Sequence, residues 1–481
     1  MRYLFVTPQG VIDTLTGELS DRVTIEQLLC QKPGGVIAGR NLYPLLAPLM
    51  SGIRRDVGWT ASVSLQKKRQ IDDRVGGVIY FSHLSYRQPK VRENGIRFRP
   101  GSIKWIVLNL ELFCETKDIE NAAKALVLLA ESRGITVRHS PGSFGGALLR
   151  SSTEWQKGRH AAPWFISDIA REHLPGNYYS IRENFKRAKR AYYLDQKSSH
   201  HSIAASVDIP HPHYLRARGR LRAVESGYYP KWITDTTVLQ NHVGLIGAVI
   251  EVKAAHPNSI HLYLPWMRKP GIRHVWIWTP ELRLLDDNVK LKWITCSFTC
   301  IKPDPVLSEF SRWSLDFLKR ENHPAVKPAL LAAYGMLGVR TQQQIERYTI
   351  HGRIKPPRAE SYKLPLIDDD VYRSTIKRNR PPVVQNVVAR GVIESETRTR
   401  SLELARNLES EGRIVAQIYA DGLIVIGKEL PDLPNGWRNV GKLTRVVSTH
   451  ANTIVSDQIV RLPGIPGGRR TSNMRSSDGV E

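Results

Sequence analysis

Residues 413–431, RIVAQIYADGLIVIGKELP, constrain this chain more than any other stretch. Two strongly apolar runs flank Ala420, Asp421 and Gly422, and Asp-Gly between apolar runs is a strong short-range signal of a β-hairpin. Apolar strands on both sides of the turn set the hairpin into a core. Most Asp-Gly turns are only turns. An aspartate at the tip of so rigid a support is also suited to holding a metal.

The formal charge of +25, from 70 Lys and Arg against 45 Asp and Glu, calls for a polyanionic partner. Such a charge attracts polyanions at long range and contacts phosphates, with affinity that falls as salt rises. Solubility alone is better served by extra acidic residues. Nucleic acid is therefore the leading partner class, and acidic membrane lipid a distant second. A hydrophobic content of 41% with 11 Trp excludes a mainly disordered chain. The 481 residues suggest two to four domains at roughly 100–200 residues each. Four cysteines exclude a disulfide scaffold and fit a reducing cytoplasm. No apolar run approaches the roughly 20 residues of a membrane span. The opening MRYLFVTPQG lacks the long apolar segment of a signal peptide. The expectation is a soluble, cytoplasmic protein with no membrane partner.

The pattern is α/β throughout, without internal repeats. Short apolar runs at 35–38, 78–81 and 105–110 alternate with helical stretches up to about residue 150. Residues 118–132 read as an amphipathic helix that Asp118 can cap, with Ile119, Ala122, Ala123, Leu126 and Leu129 at helical spacing. PGSFGG, from Pro141, reads as a glycine-rich turn and a candidate boundary. The densest basic run is Arg182, Lys186, Arg187, Lys189 and Arg190, a spacing compatible with one helix face. On its own it is a solvated surface helix. With Tyr178, Tyr179, Phe185, Tyr192 and Tyr193 beside it, it becomes a candidate surface for a nucleic-acid strand. Residues 243–300 look β-rich, with helices expected at 305–320, 325–337 and 395–410. The charged, proline-bearing 348–382 reads as loops or an inserted subdomain, and the Gly/Ser/Arg-rich tail from 464 as disordered.

Two further patterns carry chemistry. In YYLDQKSSHHSIAA, Asp195 ends a strand-like aromatic run and precedes Ser198, His200 and His201. A carboxylate at a strand end suits a metal, and it equally suits a helix N-cap. The histidine pair lacks Cys or His partners at zinc spacing, and Cys296 and Cys300 lack a second pair. In VKPALLAAYGMLG, Lys327 and Tyr334 stand seven apart on a helix that ends near a glycine, and so share a face. A cation and an aromatic so placed can take a triphosphate and stack a base. Alone, the pattern is a helix with a surface lysine and a core tyrosine.

An Asp after a strand, a Lys…Tyr-Gly helix and a Tyr-x-Asp hairpin stand in the order of polymerase motifs A, B and C. In this the chain resembles the family B DNA polymerases, closest to the protein-primed branch found in small phages and linear plasmids. Motif A of that family is Asp, then Ser three residues later, then Leu-Tyr-Pro. It falls here on Asp195, Ser198, Ser199, His200 and His201. Motif B keeps Lys327, Tyr334 and Gly335, while Leu331 and Ala332 replace Asn and Ser. In motif C, Gly427 and residues 429–432 align Asp421 with the second aspartate, and Tyr419 takes the place of the first. The family's late Lys-x-Tyr is not visible, and Lys442, Arg445 or Arg461 are the candidate replacement cations.

The resemblance implies a right-hand polymerase of palm, fingers and thumb behind an N-terminal RNase H-like exonuclease-type domain. The domains would be a degenerate 3′–5′ exonuclease-like 1–150, palm and fingers with insertions at 151–435, a short thumb at 436–465 and a disordered tail at 466–481. Motif A would lie near 195, motif B at 327–335 and motif C at 417–427. Asp195 and Asp421 would be the catalytic, metal-binding pair, holding two magnesium ions (or manganese) roughly 3.5–4 Å apart. Lys327, Tyr334, His200, Ser198 and Gly335 would bind substrate, with His200 where the family has its ribose-excluding tyrosine. Arg182, Lys186, Arg187, Lys189 and Arg190 would bind nucleic acid. Of the exonuclease motifs, Asp118 remains, Cys114 replaces a tyrosine, Asn41 is kept, Leu45 stands where an aspartate belongs, and Asp-x-Glu has no counterpart. The expected activity is template-directed DNA synthesis on primer–template from deoxynucleoside triphosphates, without proofreading. The expected form is a monomer in the cytoplasm (the host cell's if phage-encoded), with a terminal protein or other replication proteins as partners. The alternatives are an inactive relative that only binds nucleic acid, and a nuclease or integrase using the same carboxylates.

Overall fold

The computed structural model describes residues 2–7, 10–13, 19–20, 35–39, 61–63, 77–81, 91–92, 95–96, 103–114, 118–138, 140–152, 164–175, 179–182, 185–210, 215–234, 242–254, 260–300, 307–339, 343–350, 360–362, 371–378, 384–419, 421–448 and 454–455. It divides into two compact units. One comprises residues 1–176, 198–254 and 270–399, the other residues 177–197, 255–269 and 400–481. Among the described residues no helix is long and apolar enough to cross a membrane.

The second, smaller unit is built on a six-stranded antiparallel sheet. Its order is Tyr179–Ile181, Ile414–Tyr419, Gly422–Ile426, Arg187–Gln196, Trp437–Ser448, Ile454–Val455. The expected hairpin is present, and its second strand pairs with the run that ends at Asp195. Ala191, Tyr193, Ala416, Ile424, Leu443 and Val446 form the core, with Phe185, Ala188 and Ile426 packed against it. The basic run is not a helix. Arg187, Lys189 and Arg190 lie in the exposed first part of the Arg187–Gln196 strand, whose last six residues are buried. That buried part fixes the strand in the sheet, and its partner strand pairs with it from Arg187↔Val447 onward, so the basic residues follow.

The first unit contains a six-stranded mixed sheet. Arg2–Thr7, Gly35–Gly39 and Ile103–Asn109 run parallel, with antiparallel strands outside them. A four-stranded antiparallel sheet joins Arg216–Gly219, Val289–Cys300, Val243–Val252 and Gly271–Trp278, as the β-rich pattern of 243–300 predicts. The charged 348–382 region is not all loop. Gln343–Ile350, Glu360–Tyr362 and Val371–Arg378 form a sheet together with Ala61–Val63.

Helix Ile119–Glu131 begins where expected, with the Asp118 carboxylate accepting from the Asn121 N–H at 3.0 Å. PGSFGG is not a turn but the start of helix Pro141–Arg150, with Ser140 as N-cap and proline in the first turn. Its glycines serve packing against helix Val326–Leu337. A Cβ at Gly145 would lie 2.4 Å from the Ala333 nitrogen and 2.6 Å from the Ala329 carbonyl oxygen. Helix Ser308–Arg320 is slightly shorter than expected, and the helix expected at 395–410 starts earlier, as Val387–Ser410. The tail from 464, Arg461, Asn41 and Leu45 lie outside the described residues.

Candidate active site

The smaller unit brings Asp195 and Asp421 together from positions more than two hundred residues apart. Asp195 pairs in register with Gly422, and the Gln196 N–H donates to the Asp421 carbonyl at 2.9 Å. Tyr419 pairs with Gly422, and Asp421 lies in the turn between the two hairpin strands. Asp195 is 4% exposed, while Asp421 is half-buried. Tyr193, two residues before Asp195 on the same strand face, covers Gly422. A Cβ there would stand 2.8 Å from the Tyr193 ring and hydroxyl oxygen. Burial, then the charges of Asp195 and Asp421, hold the Tyr193 phenol protonated well above its usual range. Both carboxylates thus act on one side chain.

Sequence reasoning missed a cation in direct contact with Asp195. Arg438 stands opposite Asp195 on the next strand, with Nη2 and Nε 2.7 and 3.1 Å from Asp195 Oδ2. The available signal was the Asn435-Gly436 turn just before Trp437–Ser448, since Lys197 N–H donates to the Gly436 carbonyl at 2.7 Å and so fixes the strand start. Lys442, a candidate for the missing Lys-x-Tyr cation, is exposed and stands in register with Tyr192.

Two aspartates supply hard oxygen donors at a strand end and an adjacent turn, a donor set that fits magnesium. Magnesium takes few carboxylates and keeps waters or phosphates as its other ligands. No group of three or more His, Cys, Asp or Glu gathers among the described residues, so softer multi-ligand sites have no counterpart there.

The larger unit holds the other sequence-predicted site residues, and brings His200 and His201 beside Tyr334. Ser198 adopts φ +47°, a left-handed conformation unusual outside glycine, immediately before helix Ser199–Ser206. On that helix His200 is half-buried, its ring centre 6.0 Å from that of Tyr334. The next residue makes the firmer contact. His201 Nδ1 and Ser311 Oγ each lie 2.9 Å from the Tyr334 hydroxyl, and His201 Nε2 is buried without a hydrogen-bond partner. Burial, then His200 and Lys327, push the His201 imidazole down to about 3. Lys327 is exposed and Tyr334 buried, the surface-lysine, core-tyrosine arrangement. Gly335 is exposed, with nothing within 4 Å of the place a Cβ would take.

Among the basic residues, Arg182 pairs with Glu409 at 2.7 Å, whereas Lys186, Arg187, Lys189 and Arg190 are exposed. Asp118 is occupied as a helix cap, and its hydrogen bonds to Asn121 hold its carboxyl below the usual range.

No protein-family model and no curated protein matches the chain in sequence. Solved structures do match. Phi29 DNA polymerase complexed with single-stranded DNA aligns over 95% of this chain and 88% of its own, with TM-score 0.57 and 12% identity. The Phi29 DNA polymerase ternary complex with primer-template DNA and incoming nucleotide substrates aligns over 91% and 82%, with TM-score 0.58 and 12% identity. The orthorhombic crystal form of the same polymerase aligns over 95% and 89%, with TM-score 0.55 and 11% identity. The chain therefore has a mixed helix-and-sheet fold resembling that of Phi29 DNA polymerase.

Proposed function

We propose that this chain is a template-directed DNA polymerase that extends a primer with deoxynucleotides and lacks proofreading. The observation that carries the reading is the meeting of Asp195, near the end of one strand, with Asp421, in the turn that leads into the adjacent strand. It occurs in a fold whose solved counterpart holds primer-template DNA and incoming nucleotides. The two aspartates would hold divalent magnesium (or manganese), which supplies charge neutralisation at the phosphoryl groups when bound. Lys327, exposed on its helix, offers an ammonium to the incoming phosphates. Gly335 leaves the helix backbone open to close approach, and Tyr334 keeps that helix in place through His201 and Ser311. Tyr193 stays a neutral hydrogen-bond donor beside the carboxylates.

Residues 151–435 would be palm and fingers and 436–465 a short thumb. The mixed sheet of residues 1–150, with three parallel strands between antiparallel ones, supports an RNase H-like, exonuclease-type domain. Its Asp118 is committed to capping, which supports the loss of exonuclease activity. The partners would be primer–template DNA, deoxynucleoside triphosphates and a terminal or other replication protein.

One observation favours the second reading, an inactive relative that binds nucleic acid: Asp195 already carries a guanidinium at 2.7 Å. Primer extension with the full chain and magnesium separates the two. Incorporation supports the polymerase, and binding without incorporation on several templates supports the inactive relative. Labelled single-stranded DNA should stay intact with magnesium or manganese, and its degradation would favour a nuclease.

A further inference from the structure

The strand that carries Asp195 near its end carries a second site at its start. A cleft of about 990 Å³ opens there in the smaller unit, at the upper end of the size of ligand pockets. Six cations line it: Arg182, Lys186, Arg187, Lys189, Arg190 and Lys428, with no carboxylate among the lining residues. All but Arg182 are exposed, and among the described residues those five have no ion-pair partner. Like charges so concentrated repel one another and destabilise the fold unless a polyanion offsets them.

The cleft also has an apolar part to its lining. Phe185, Ala188, Ile414 and Ile426 supply it, and Ile414 is 42% exposed. Cations beside a small apolar patch with one aromatic ring match a chain of phosphates bearing a flat, apolar-faced group. A single strand of nucleic acid presents that combination, because its bases are unstacked and can enter one at a time. A duplex keeps its bases inside, and inorganic phosphate would leave the apolar patch uncovered.

We propose that this cleft binds a single strand of nucleic acid, with phosphates on the exposed cations and one base against Phe185. Arg190 and Asp195 are joined by one strand, which sets them roughly 17 Å apart at about 3.4 Å per residue. The cleft is therefore a holding site separate from the carboxylates, on the same rigid support. Its use during synthesis rests on the polymerase reading, whereas the binding itself does not.

The test uses the full chain in EDTA, which silences any metal-dependent step. Binding of a fluorescent oligothymidylate is followed by anisotropy across a salt series. Lys186→Glu combined with Lys189→Glu should weaken binding at least tenfold near 0.1 M salt. It should also lower the salt slope by about 1.4, at about 0.7 per lost phosphate contact. An abasic strand of equal length should bind the unsubstituted chain at least fivefold more weakly, roughly the loss of one stacked base. A strand bearing 5-iodouracil should photo-crosslink to the peptide containing Phe185. Unchanged affinity and slope in the double variant, equal binding of the abasic strand, or crosslinks only elsewhere would each overturn the proposal. So would a Glu/Leu peptide that displaces the oligonucleotide while binding more tightly, since the cleft would then be a protein-docking site. Failure of the unsubstituted chain to bind the oligothymidylate at this cleft, with primer extension intact, removes this site alone. Intact cleft binding without extension removes the polymerase reading alone.

Discussion

Arg438 closes on Asp195: two guanidinium nitrogens, Nη2 and Nε, converge on the single oxygen Oδ2 at 2.7 and 3.1 Å. The carboxylate side chain is 6% exposed and the guanidinium 45%, so a nearly buried anion is held by a cation that reaches solvent. The pair sets a cation against this nearly buried carboxyl group beside Tyr193. It also sets a positive charge against one of the two carboxylates that would hold a divalent ion.

Arg438→Gln should therefore act in two directions. Removing the Arg438 guanidinium from Asp195 should cost about 1–3 kcal/mol, the upper end being reduced because Arg438 is half-exposed. Urea denaturation should show the loss, and a double-mutant cycle with Asp195→Asn should assign most of it to the pair. The same variant should bind manganese several-fold more tightly than the unsubstituted chain, read by calorimetry without nucleic acid. Equal affinity for manganese would mean that Arg438 and the metal do not compete.

Acid should weaken the larger unit through His201. Its folded value is pushed down to about 3 by burial, against about 6.5 in an unfolded chain. The unfolded state then binds the extra proton first. Stability is complete above about pH 6.5 and falls as pH drops toward 3, by about 2 kcal/mol between pH 7 and 5. His274, pushed down to about 4, adds in the same direction. His201→Gln should flatten the pH dependence of the denaturation midpoint over this window, and an unaltered profile would remove His201 as its source.

Tyr334→Phe should destabilise by about 1–3 kcal/mol, because His201 Nδ1 and Ser311 Oγ would both lose their shared hydroxyl inside the core. Thermal unfolding measures this directly. A neutral result would show that solvent replaces the hydroxyl.

Two glycines on facing helices should respond oppositely to alanine. Gly145→Ala drives a methyl against the backbone of Ala329 and Ala333 and should cost about 1–3 kcal/mol or more. Gly335→Ala meets nothing and should stabilise by about 0.5–1 kcal/mol through helix propensity. If Gly335→Ala nevertheless raises KM for nucleotide, the open backbone serves substrate approach. An unchanged KM would leave it without that role.

What could be read from the sequence divides along the range of the interactions. The Ile414–Tyr419/Gly422–Ile426 hairpin and the Asp118 cap are decided within a few residues, and both are as expected. Asp195 at the end of a strand was legible for the same reason. The basic residues 187–190 read as helix because Ala, Lys and Arg favour helices locally. Their strand state comes from pairing with residues more than two hundred positions later. PGSFGG read as a turn because glycine and proline usually break helices, although Ser140 and Pro141 were a local start signal. What retains the glycine at 145 is a neighbour nearly two hundred residues away. A helix at 395–410 was legible locally, but its partners were not: Glu396 is buried and paired to Arg283, and Arg398 is paired to the buried Glu281, each more than a hundred residues away. Arg438 escaped notice because only the register against Asp195 gives it a role.

Primer extension with Asp195→Asn and Asp421→Asn tests the central claim most directly. Each variant keeps the side-chain shape and removes one carboxylate charge. The unsubstituted chain should add deoxynucleotides to a primer in a divalent-ion-dependent manner, and each variant should lose extension while binding DNA within about twofold. Near-normal extension by either variant, or no incorporation by the unsubstituted chain on any primed template, would contradict the assignment of these two aspartates as the catalytic pair.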